Sequence, residues 1–200
     1  MPSLAFCMSS HVRQGTTGAT YFFTLRLADR QDDLLLRKID LLRSAMRETL
    51  QRHPFHIDAT AVLPATVHMM WTLPAQDDAY ASRIALLKSR FSRACPMPAH
   101  RSLAQIKRGE KGIWQRRYWE HAIRDAGDFA RHRDLIHLSP VHAGLCARPQ
   151  DWVYTSLHRY LRDRNMRSGH FRQGTATATG HTSKNAVQKS VAQHVVDATL

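Results

Sequence analysis

Phe55-His56-Ile57-Asp58-Ala59-Thr60-Ala61-Val62-Leu63-Pro64-Ala65-Thr66-Val67-His68-Met69-Met70-Trp71-Thr72-Leu73 is the stretch whose reading decides the fold. Two β-forming runs, Phe55 to Leu63 and Val67 to Leu73, flank Pro64-Ala65-Thr66 at or near a turn. Side chains alternate along a strand, so Thr66 and His68 share one face. Met69, Met70 and Trp71 then read most simply as core or subunit surface.

Working outward, Thr20 to Leu27 (TYFFTLRL) is a further run of β-formers. Asp32 or Asp33 can cap the helix that follows, whose apolar positions Leu35, Ile39, Leu42, Met46 and Leu50 recur at helical spacing. Beyond the strand pair, Asp77 or Asp78 can cap a second helix with Tyr80, Ile84, Leu87 and Phe91 as its buried stripe; Pro96 and Pro98 stop it. Residues 99–112 read as a basic loop, Gln115 to Ile123 as a fourth strand, and Asp128 as the opening of a third helix that ends by Pro140. A segment with Trp152, Tyr154, Leu157 and Tyr160 should pack back on the body. The order β-α-β-β-α-β with an added C-terminal helix predicts a ferredoxin-like α+β sandwich.

The 200 residues suit one domain with tails: a polar lead-in at 1–18, a domain at 19–160, and a basic tail at 161–200. From Asn165 the composition shifts to Gly, Thr, Ser, Ala and Gln, which predicts disorder, with a weak helix at Ala186 to Val196. The apolar stretch in Met1 to Gln14 is too short for a secretory signal and no run reaches a membrane span, so a cytoplasmic protein without membrane partner is expected. Cys7, Cys95 and Cys146 are odd in number and widely spaced, which supports neither a zinc ribbon nor a disulfide framework. Lys and Arg number 29 against 16 Asp and Glu, a net charge of +13, which points to a polyanion such as nucleic acid. A merely basic soluble protein is the plain alternative.

Several ordered motifs carry a resemblance. Pro64 to Trp71 is one; Trp114-Gln115-Arg116-Arg117 with Trp119-Glu120-His121-Ala122-Ile123-Arg124-Asp125 is another. Ile136-His137 with Pro140-Val141-His142-Ala143-Gly144-Leu145, and Trp152 with Ser156-Leu157-His158-Arg159-Tyr160, complete the set. Over roughly residues 20–160 the chain resembles the single-tyrosine HUH transposases, in the branch associated with repetitive extragenic palindromes (REP). The resemblance implies the HUH nuclease form of the ferredoxin-like fold and DNA transposition through single-stranded hairpins. It also implies Mg²⁺ or Mn²⁺ as cofactor, and nucleoid association when DNA is bound; no obligate protein partner is evident in the sequence.

Cleavage in that family needs a metal held by two His on one strand face, a tyrosine nucleophile on a nearby helix, and a polar third ligand four residues later. The resemblance places these at 66 and 68, 135 and 139, where Thr66, His68, Leu135 and Ser139 stand. His68 is the one expected ligand kept, although a lone strand His also serves as a core or surface residue. No catalytic residue is intact, so the reading is a DNA-binding protein impaired in strand cleavage. Tyr118, Tyr154 and Tyr160 are the alternative nucleophiles, and Glu120, His121 and His137 the candidates to support the site. DNA contact is expected from Arg83, Lys88, Arg90 and Arg93, then Arg101, Lys107, Arg108 and Lys111, then Arg116 and Arg117. A solvated basic face is the other reading of these charges, and a non-enzymatic DNA- or RNA-binding protein without hairpin specificity the other function.

Overall fold

The computed structural model describes residues 18–98 and 101–170, the side chains of 166–170 excepted. The expected Ala186 to Val196 helix and most of the lead-in and tail therefore lie outside the described residues. Four strands form one sheet: β1 (Thr20–Arg26), β2 (His56–Val62), β3 (Thr66–Thr72) and β4 (Trp119–Ala122). Their order is β2-β3-β1-β4 and every pairing is antiparallel. Each β-α-β crossover thus leaves room for one strand from the other half, which is the ferredoxin-like arrangement.

Alternation along the strands buries both faces. Phe23, Leu25, Val67, Met69 and Trp71 meet Leu42, Met46, Ile84, Leu87 and Phe91 in the larger core. Those partners belong to α2 (Ile39–Arg52) and α3 (Tyr80–Ala94). The other face presents Phe22, Ala59, Ala61 and Met70 to Ile136 of α5 (Ala126–His142). The sheet is therefore the middle of three layers, and Thr24 and His68 face the α5 side.

Local departures from the expected elements have identifiable causes. The helix expected after Asp33 is two: α1 (Leu34–Arg37) and α2, separated by Lys38 at non-helical φ −122°, ψ 34°. Asp32 accepts the Leu34 N–H at 3.0 Å, and both aspartates grip Arg37. The 99–112 loop contains a short helix, α4 (Leu103–Lys107), started by a reciprocal capping box between Ser102 and Gln105. The fourth strand is only four residues long. The ladder begins with a Leu27–Trp114 bridge, then breaks because Lys88 Nζ takes the carbonyls of Gln115 and Arg116 at 2.8 and 3.3 Å. The third helix starts earlier than Asp128, capped by Asp125 at 2.8 Å from the Asp128 N–H, and runs through Pro140 to His142.

After a 3-10 turn at Pro149–Asp151, the chain seals the free edge of β2. Val62 N–H donates to Tyr154 O, Ser156 N–H to Thr60 O, and Trp152 Nε1 to Val62 O, each at 2.9 Å. Covering an edge this way removes a row of unpaired backbone groups. The last helix, α6 (Leu157–His170), continues past Asn165, so the composition shift there falls inside a helix.

Candidate functional site

Thr66 and His68 stand on β3 in register with Arg26 and Thr24 of β1. His68 Nδ1 lies 3.0 Å from Thr24 Oγ1, and its ring stacks on Phe22 with centroids 6.0 Å apart. Burial, aided by the nearby Arg26 charge, pushes the imidazole down to about 4. The ring is therefore neutral at neutral pH.

Ser139 is 7% exposed on α5, directly before Pro140. A proline inside a helix lacks the N–H that would reach the carbonyl four residues back. Here that carbonyl belongs to Ile136, and Ser139 Oγ donates to it at 2.7 Å. Ser139 is thus a local repair for the helix rather than a group pointing at a ligand. Leu135, 44% exposed, sits three residues after His132 on the flank of α5 and offers no hydroxyl.

These positions do not make a fitting site for Mg²⁺ or Mn²⁺. One of the two expected imidazoles is missing, and neither a carboxylate nor another strong donor stands in its place. The set holds one half-buried imidazole, one neutral threonine hydroxyl and one serine hydroxyl already donating to a carbonyl. The charge acting on His68 is the cation Arg26, which opposes a second cation.

The other tyrosines lie elsewhere. Tyr118 packs against the α2/α3 core, with Lys88 Nζ 5.9 Å from its ring centre, and Tyr154 borders the same core beside Trp152. Tyr160 has the guanidiniums of Arg133 and Arg164 4.7 and 5.7 Å from its ring centre. Of the three expected supporting residues, Glu120 accepts the Tyr80 hydroxyl at 2.5 Å on the α3 side of the sheet. His137 is buried against Ser156 Oγ at 3.1 Å, and burial pushes it down to about 4.

Only His121 of those three enters a polar constellation on the α5 side. Its Nε2 is 2.8 Å from Asp128 Oδ2, while His132 Nδ1 lies 3.2 Å from Asp128 Oδ1 and 2.9 Å from the Asp128 carbonyl. The two rings stack at 4.5 Å. Asp128 is 2% exposed and also receives the Arg124 N–H and the Arg131 guanidinium, each at 3.1 Å. The His121 hydrogen bond foremost, with these donors, holds its carboxyl far below the usual carboxylate range. The sequence marks Asp128 only as the opening of a helix, and it gives His132 no role. Their four-residue spacing places both on one helix face, but strand and helix meet only in the fold.

The basic residues divide by environment. Arg83 is 2% exposed, paired with Asp77 at 2.5 Å, and donates to the carbonyls of His53 and Pro54. Burial lowers the Lys88 ammonium, which holds the Gln115 turn. Arg90 bridges to Glu48 on α2 at 3.0 Å. Lys111 Nζ donates to Ser92 O at 2.7 Å and to Cys95 O at the end of α3. Arg101 donates to Glu110 O at 3.4 Å, and Arg108 pairs with Glu110 at 2.8 Å. Arg93, Lys107, Arg116 and Arg117 are exposed, as are Arg26, Arg124 and Arg131 on the α5 side.

No family model matches the chain. A REP-associated tyrosine transposase of Escherichia coli is 38% identical over 152 residues, spanning 76% of this chain and 84% of that protein. A Haemophilus influenzae protein described by the same name is 43% identical over 153 residues, spanning 76% of this chain and 87% of that protein. Among solved structures, a REP-associated tyrosine transposase bound to a REP hairpin superposes with a TM-score of 0.66 at 33% identity, covering 90% of this chain and 96% of that one. The sheet order, the α5 layer and these identities agree, and the chain belongs to the REP-associated tyrosine transposase family.

Proposed function

We propose that this protein binds folded single-stranded REP-type DNA hairpins and does not cleave them by the tyrosine reaction of its family. The observation that carries the binding is the likeness to a relative solved with a REP hairpin, in a chain whose net charge is +13. The proposed contacts are the exposed cations Arg93, Lys107, Arg116 and Arg117, with Arg101 and Arg108 beside them. Phosphate neutralisation by these side chains releases counterions, so affinity should fall steeply with salt.

The loss of cleavage rests on chemistry at the centre. Leu135 cannot attack phosphorus, and Thr66, His68 and Ser139 do not assemble a donor set for a hard divalent ion. In the family such an ion would polarise the scissile phosphate. No described helix is long and apolar enough to cross a membrane, and a cytoplasmic, nucleoid-associated protein is the proposed setting.

The test is a gel-shift comparison of a labelled REP hairpin with a scrambled single strand and a linear duplex of equal length. Tighter binding to the hairpin at every salt concentration supports the proposal. Equal affinity for all three would instead favour a general DNA- or RNA-binding protein without hairpin specificity.

A further inference from the structure

His121, Asp128 and His132 bring one ligand atom each to within 4.8 Å of one another, at the junction of β4 with the first two turns of α5. We propose that these three side chains form a binding site for one divalent transition-metal ion of the zinc class, separate from the family's 66/68/139 positions. Two imidazoles and one carboxylate with an open position are donors that suit zinc better than Mg²⁺. Bonds of about 2.0–2.1 Å in a tetrahedral shell need ligand atoms roughly 3.3 Å apart. His121 Nε2 lies 2.8 Å from Asp128 Oδ2 and His132 Nδ1 lies 3.2 Å from Asp128 Oδ1, so each imidazole already stands near that spacing from one oxygen of the carboxylate.

The surroundings hold these groups as an outer shell would. The Arg124 N–H fixes Asp128 Oδ2 at 3.1 Å, and the Asp125 cap sets the Asp128 backbone. Phe22 walls the site 5.1 Å from the His132 ring, and Trp119 stacks on His121 at 5.8 Å. Both imidazoles keep partial exposure, which leaves an entry path and a coordination position for water. The competing cations are the Arg124 and Arg131 guanidiniums, whose side chains are 74% and 66% exposed and can withdraw into solvent. Bound there, the ion would tie the short edge strand to α5.

The experiment titrates the untagged full chain, stripped with chelator, with Co²⁺ as a visible probe and Zn²⁺ as competitor. The expected result is one equivalent of Co²⁺ with ligand-field absorption, displaced by Zn²⁺, and a raised melting temperature with either ion. His121→Ala and His132→Ala, checked for folding by circular dichroism, should each bind at least 10-fold more weakly, whereas His68→Ala should bind as the parent does. X-ray absorption on the zinc-loaded parent should show imidazole scattering and no sulfur, which keeps the test decisive if a variant unfolds. Absent stoichiometric binding, unchanged affinity in both folded variants, loss with His68→Ala alone, or a sulfur shell from Cys95 or Cys146 would overturn the proposal.

Discussion

Removing the Ser139 hydroxyl should destabilise the protein, and removing Pro140 at the same time should cancel most of that effect. In the parent, Ser139 Oγ is 2.7 Å from Ile136 O, and both lie in the interior of α5. Ser139→Ala leaves that buried carbonyl unsatisfied, which costs about 1–3 kcal/mol. Taking ~2 kcal/mol and a urea slope of ~2 kcal/mol per M, the unfolding midpoint should drop by about 1 M. Pro140→Ala restores an N–H that reaches Ile136 O in the ordinary helical pattern. In that background Ser139→Ala should cost only ~0.5 kcal/mol. The double-mutant cycle, read by urea unfolding at pH 7.5, should therefore show a coupling of about 1.5 kcal/mol. Equal costs in both backgrounds would refute the reasoning. A Ser139 hydroxyl aimed at a ligand would give that additive result.

The division of the basic residues predicts opposite phenotypes. Arg83→Met should destabilise by ~3 kcal/mol because Asp77 loses its buried partner, yet leave hairpin affinity of the folded fraction within twofold. Arg116→Ala with Arg117→Ala should leave the urea midpoint unchanged while weakening hairpin binding and lowering its salt slope by ~1–2. Stability should also fall with acid. His68 and His137 take up protons near 4 when folded, against about 6.5 when unfolded. The unfolded chain then binds more protons between those values. Stability is full above pH ~6.5 and is lost as pH falls toward 4, on the order of 3 kcal/mol per ring. Urea midpoints from pH 7.5 to 4.5, with imidazole NMR titrations, check this, and a flat profile contradicts it. Restoring Thr66→His and Leu135→Tyr while keeping Ser139 should recover some covalent hairpin cleavage with Mn²⁺; Ser139→Asn added to them should lower the melting temperature.

The sheet was legible in the sequence because its information is local. Val67 to Leu73 alternates around a turn, and Tyr21 to Leu27 is β-rich, so strands and order followed from pattern. The ends of elements were less so. Lys88 shortens β4 by capturing two carbonyls from 27 and 28 residues away, a contact without a sequence signal. Pro140 looked like a helix stop, and it is not one because its neighbour Ser139 accommodates the freed carbonyl. The charged stripe of α3 read as one surface, but Arg83 and Arg90 carry internal pairs that require α2 and the 53–54 backbone beside them. His121, Asp128 and His132 come from a strand and a helix, so their meeting belongs to tertiary structure.

The most direct test of the account is an adduct assay. The protein is incubated with a labelled REP hairpin and Mg²⁺ or Mn²⁺, and the products are split between a native gel and a denaturing one. The proposed impairment, with Leu135 at the nucleophile position and Thr66, His68 and Ser139 at the ligand positions, predicts a shifted band on the native gel. It predicts intact DNA and no protein-linked label on the denaturing gel. A covalent protein–DNA band that survives denaturation would contradict the central claim.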